Sequence, residues 1–122
     1  MADTDGILDS TKQQLGLDIE DDSYDSELTM HINSTFFTLH QLGVGPALGF
    51  TIIDRNDKWT AFVGTDQINA VKTYMGMAVR LIFDPPATGP AVAAMERLVA
   101  QMEWRLKTHM EGVKWDEESK LS

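Results

Sequence analysis

The stretch VRLIFDPPATGPAVAAM, residues 79–95, constrains the fold more than any other part of the chain. Its first half has apolar residues at helical spacing, two consecutive prolines interrupt it, and a third proline stands where a second helical run begins. Pro85 disfavours the α conformation at Asp84 and so ends the first helix. Pro90 fits the first turn of the next, with Thr88 or Gly89 as its cap. The stretch therefore predicts a tight corner between two amphipathic helices that pack antiparallel as a helical hairpin.

Apolar stripes continue on both sides of this corner. Upstream, Thr65 or Asp66 caps a helix over roughly 66–83 that carries Ile68, Val71, Met75, Ala78, Val79 and Ile82 on one face. Gly76 lies inside it. A mid-helix glycine costs about 1 kcal/mol against alanine, which close approach of another helix would explain. Downstream, Val92, Met95, Val99, Met102 and Leu106 recur at near-heptad spacing over 89–110. The two stripes are expected to face each other and supply most of the core.

Two further helices precede them. Thr4 or Asp5 caps a short one over 4–15 with Leu8, Thr11 and Leu15 on one side, and Gly16 ends it. Tyr24, Leu28, Ile32, Thr35, Leu39 and Leu42 mark a stronger helix over 23–42, which stops in LGVGPALG. The segment 50–63 is an ordered excursion, either a small β-hairpin or a strand followed by a single helical turn that pins Trp59 against the bundle. The fold class is thus mainly α, a small bundle of about four helices in a single domain over 1–110. Its expected core is Leu28, Ile32, Leu39, Val71, Met75, Ile82, Met95, Val99, Met102 and Leu106. Residues 111–122 read as a polar tail, flexible when free, with Val113 and Trp115 as its apolar groups.

Composition narrows the chemistry. A chain of 122 residues makes one domain, and without cysteine it has no disulfide, thiolate nucleophile or cysteine-ligated metal. No apolar run of about eighteen residues offers a membrane span, and the acidic opening MADTDGILDS lacks the layout of a secretory signal. The net charge is −9, of which residues 1–30 carry −8. That sign repels phosphate, so it argues against a sequence-reading nucleic-acid binder and suits a surface past which DNA must slide. His31, His40 and His109 form no metal motif. The carboxylate pairs at 21–22 and 117–118 fall in a cap region and the tail, and GVGPALG lacks the lysine of a phosphate-binding loop. No catalytic, metal or cofactor site is expected.

What remains is a set of large side chains that the core stripes leave outside. Trp104 lies roughly 200° around its helix from the centre of the Val92–Leu106 stripe. Met30 and Phe37 fall off the stripe of the second helix, and Arg80, Arg97 and Arg105 add long cationic arms. Aromatics on two faces of a small protein point to partners, unless other helices or the middle segment cover them.

The order of these features resembles the head-tail connector, or adaptor, proteins of tailed bacteriophages. The resemblance rests on STKQQLGLDIEDDSYDSELTMHINS, QLGVGP, the tryptophan-bearing DKWTAFVG, and above all VRLIFDPP followed by AAMERLVAQMEWRL. It implies a structural virion protein, with no enzymatic reaction and no cofactor. Such a protein is assembled in the host cytoplasm and placed at the neck of the particle. There a homo-oligomeric ring beneath the portal extends the DNA channel and supports a stopper or tail-side neck protein. Under that resemblance Phe37, Arg97, Trp104 and Arg105 are candidates for contacts between subunits, and Val113 and Trp115 for docking to the portal. DNA would pass without sequence-specific binding, and an acidic lumen drawn from residues 1–30 would keep it mobile. The alternatives are a small acidic phage-encoded regulator, such as a DNA mimic or host-factor binder, and a small hydrolase-like or metal enzyme.

Overall fold

The computed structural model of the chain describes residues 5–121, and the side chains of 5–113. Four helices follow one another: α1 (Ile7–Gln14), α2 (Asp25–Gln41), α3 (Ile68–Phe83) and α4 (Gly89–Leu121). A single 3-10 turn, Trp59–Ala61, lies between α2 and α3. The architecture is the mainly α bundle that the apolar periodicity predicts, with α3 packed against each of the other three helices.

The helix ends follow from local chemistry. Gly16 and Gly43 take positive φ after α1 and α2, so that Leu17 N–H bonds to Lys12 O and Val44 N–H to Leu39 O, both at 2.9 Å. These are Schellman ends, closed at α2 by apolar contact between buried Val44 and Leu39. At the FDPP corner, Asp84 leaves the helical region, and Thr88 Oγ1 accepts the Ala91 N–H at 3.3 Å to cap α4. α1 begins at Ile7 after Gly6 with no side-chain cap, Thr4 lying outside the described residues. α4 runs past Met110 to Leu121, beyond the end its apolar stripe suggests.

Among the described residues the middle segment forms neither a hairpin nor a strand. Its one pairing is an isolated bridge between Gly6 and Lys58, with Ile7 N–H donating to Asp57 O at 3.0 Å and Trp59 N–H to Asp5 O at 2.9 Å. Trp59 is fully buried, and its indole Nε1–H donates to Ser10 Oγ at 2.8 Å. Around it Phe36, Phe50 and Phe62 pack edge to face, the Phe36–Phe62 centroids 4.6 Å apart. Asn33 completes the attachment from α2: its amide accepts from Ile52 N–H at 2.8 Å and donates to Ile52 O at 3.1 Å.

This arrangement moves the core away from the α3–α4 hairpin. Ile7 and Leu8 of α1, Leu28, Ile32, Phe36 and Leu39 of α2, Trp59 and Phe62, and Val71, Tyr74, Met75 and Val79 of α3 are buried together. Among the described side chains of α4 only Leu106 joins them, with Val99, Met102 and Met110 packed partly against the cluster. The expectation that α3 and α4 hold most of the core is corrected: α4 lies against α3 at the edge of the bundle and buries one stripe. Two single residues change with it. Met95 is half-buried because its turn of α4, near the closed end of the hairpin, has little beyond α3 to pack on. Ile82 is 56% exposed. The α3 ridge advances in steps of four, which drift about 40° each, and by the last turn it has passed to Phe83, whose ring meets Tyr24 at 5.3 Å.

α1 is enclosed on most sides over Ile7–Lys12, where Asp9, Ser10, Thr11 and Lys12 are polar residues buried with at least one hydrogen-bond partner each, while Gln13 and Gln14 are exposed. Lys12, 2% exposed, directs its ammonium to Ile19 O and Asp25 Oδ1, each at 2.8 Å. Asp9 accepts from Arg55 at 3.0 Å. Gly76 supplies the close approach expected of it, since a Cβ there would run into the Gln14 side-chain amide, which donates to Lys72 O at 3.0 Å.

Gly45 offers a test of the seat under the middle segment. Its φ is +90°, and a Cβ would meet the ring of Phe62, which the aromatic cluster holds in place. Gly45→Ala is expected to lower unfolding free energy by at least about 2 kcal/mol, read as a reduced urea midpoint. A midpoint unchanged from wild type would show that 44–63 is not packed as described.

Candidate interaction surfaces

With the core complete, the surface features of interest lie on the two helices that border the bundle. On α2 the buried residues Leu28, Ile32, Thr35, Phe36 and Leu39 form one stripe, and Met30 and Phe37 stand opposite it. Phe37 is 62% exposed. The middle segment borders this face: the Asn33–Ile52 bonds place exposed Ile53 beside it, and Gly49, next to exposed Leu48, approaches the His40 ring. On α4, Arg97, Gln101 and Trp104 lie opposite Leu106, and Leu98 and Arg105 flank that face; all five are exposed, with Trp104 at 67%. The structure thus brings Arg97, Trp104 and Arg105 onto one helix face and leaves Phe37 on another. Leu48 and Ile53 join these surfaces without a sequence signal, because nothing in a local period says which apolar residue of an irregular segment is left uncovered; Leu98 was missed although the helical period that places Trp104 also sets it off the α4 stripe.

The orientation of α4 is held by a polar tie. Tyr74, in the α3 core face, donates its hydroxyl to Glu103 Oε2 at 2.6 Å. Met102, Leu106 and His109 sit opposite Ala70 and Asp66 around a groove of about 310 Å³. The partners of α4 move back along α3 as α4 advances, which is the antiparallel register that the FDPP corner predicts. Burial first, and the bond to Glu103 second, push the Tyr74 hydroxyl well above the usual phenol range.

The acidic surplus of residues 1–30 divides in two. Asp9 is buried on Arg55 and Asp25 holds Lys12, whereas Asp18, Glu20, Asp21 and Asp22 are exposed in the α1–α2 link. Among the described residues no three histidine, aspartate or glutamate side chains gather as a metal site, and no helix is long and apolar enough to cross a membrane. Val113 is half-buried beside a hollow lined by Leu42, Gly43 and Met110. The side chain of Trp115 lies outside the described residues.

A small helical subunit with two uncovered apolar faces and no converging polar cluster has the form of an assembly component. Residues 7–113 match the family described as phage connector protein. The chain belongs to that family. Membership makes it a structural phage protein, in agreement with the resemblance carried by FDPP and EWRL. Comparison with curated proteins and with solved structures returns no match. Within this connector-family chain, the Tyr74–Glu103 bond ties α4 to α3.

The raised Tyr74 pKa predicts a sign. An unfolded tyrosine titrates near about 10, so the stabilisation from a folded phenol held protonated is full below that pH and is lost as pH rises above it. Urea unfolding of the wild type should therefore weaken above about pH 10. Tyr74→Phe should be less stable at neutral pH by about 1–2 kcal/mol and show a shallower alkaline decline. Equal alkaline slopes would remove Tyr74 from this role.

Proposed function

We propose that the protein forms a ring of identical subunits beneath the portal, where it extends the DNA channel and presents a platform to a stopper or tail-side neck protein. Membership of the connector family over 7–113 is the observation that carries this reading, and the surface chemistry supports it. A ring closed by rotation needs two different complementary faces on every subunit. The Phe37 face of α2 and the Trp104 face of α4, with Arg97 and Arg105, meet that need.

The exposed carboxylates of the α1–α2 link are the acids available to a channel wall, where like charge would keep passing DNA from adhering. A DNA mimic would need the acids arrayed on its surface as a continuous set, and the burial of Asp9 and pairing of Asp25 work against that alternative. The reading assigns no enzymatic step to the chain. It places the end of α4, from Val113 and including Trp115, at the portal.

Electron microscopy of the protein mixed with the portal of the same phage tests the reading. A cap of ring-shaped density on the portal is expected, and its occupancy should fall with Trp104→Ala, whose side chain contributes little to the fold. Bare portals across a range of salt concentrations would contradict it. Removing residues 114–122 leaves every buried core residue in place. The truncated chain should keep its cooperative unfolding and bind portal more weakly. Loss of the folded state would mean that the end of α4 belongs to the bundle.

A further inference from the structure

Resting on the ring reading, we propose that the two outward faces are the two halves of one contact. The α4 face of one subunit, Leu98, Trp104, Arg97 and Arg105, receives the α2 face, Met30 and Phe37, of a second copy of the chain.

Within one chain these faces do not cover each other, because Met30 and Phe37 lie opposite the core stripe of α2 and Arg97 and Trp104 opposite that of α4, with Leu98 and Arg105 at the flank of that face. Their charges are complementary. Arg97 and Arg105 take part in no ion pair among the described residues. The α2 face instead carries Glu27, one turn before Met30, and continues into the exposed acids Asp21 and Asp22. Glu27 meets only the His31 imidazole, at 3.5 Å, and is itself half exposed.

Shape agrees with charge. Arg105 forms a wall shared by the shallow hollow at Gln101 and Trp104 and by the groove over Ala70, Met102 and Leu106. That groove has a mostly apolar lining and, at about 310 Å³, room for one aromatic side chain. Phe37, projecting from α2, is the knob that fits it, while Met30 lies against Leu98 and Trp104. Covered arginines and aromatics at the centre of a patch are the groups from which contact energy mostly comes. Because the faces differ, the contact propagates from copy to copy and closes only as a ring.

The chain has no cysteine, so introduced thiols report the contact without background. Ser34 lies exposed beside Phe37 on α2, and Gln101 lies exposed between Arg97 and Arg105 on α4. The double variant Ser34→Cys/Gln101→Cys, bound to portal of the same phage and treated with a short bismaleimide, should give a ladder of covalent multimers. Each single variant should stay monomeric, and circular dichroism of all three should match wild type. Covalent dimers from either single variant would show that each face meets its own kind, which overturns the pairing. A missing ladder where microscopy shows a wild-type ring on the portal would also overturn it, with the ring intact. If microscopy shows no ring, the functional reading fails first and the pairing falls with it.

Discussion

The buried hydrogen bond from the Trp59 indole to Ser10 joins the two parts of the chain that have least structure of their own. The segment 44–63 has no helix or sheet in which to satisfy its backbone beyond one 3-10 turn. α1, eight residues long, is too short to persist alone in water. Each completes the other: the bridge at Gly6 and Lys58 aligns them, the indole bonds to the middle of α1, and Phe36 and Phe62 pack on the indole with Phe50 behind them. Removing the indole would leave Ser10 in the middle of α1 without its partner and take away a ring on which Phe36 and Phe62 pack.

This clasp decides what the other helices have left to do. With α1 and Trp59 filling the space beside α3, α2 and α4 each bury one stripe and keep the opposite side in solvent. A bundle of four equal helices around a common core would have drawn Trp104 or Phe37 inward, or replaced them by polar residues. Here the core is complete without them, so their exposure is a surface property of the folded subunit. α4 is oriented rather than buried, with Leu106 as its anchor and the Tyr74–Glu103 bond fixing its register. A connector needs a rigid body with free faces, and this division of labour yields one.

The parts legible in the sequence were those set by local chemistry. The FDPP corner follows from what proline forbids, and the α2 stripe and the outward positions of Phe37 and Trp104 follow from a period of 3.6. What stayed hidden depends on distant partners. Lys12 reads as a solvated lysine until Ile19 O and Asp25 are folded round it, and Asp9 and Ser10 are polar residues on a face that only tertiary contacts enclose. Ile82 and Met95 are on their stripes but near a helix end with too little behind them. The middle segment was ambiguous because its β-prone residues are paired to a side chain, Asn33, and not to a strand. The α4 extension stayed hidden because it lies past the last residue of the apolar stripe, where the helical period of that stripe is silent.

Trp59 seals a core complete in the single subunit, and under the proposed ring Met30, Phe37 and Trp104 are covered by other copies. Hydroxyl-radical footprinting of the free protein and of intact phage particles measures this directly, because methionine and aromatic side chains oxidise according to their exposure. Trp59 and Met75 should resist oxidation in both samples, whereas Met30, Phe37 and Trp104 should react in the free protein and be protected in the particle. A Trp59 that oxidises as fast as Trp104 in the free protein, or a Trp104 that remains reactive in the particle, would contradict the account.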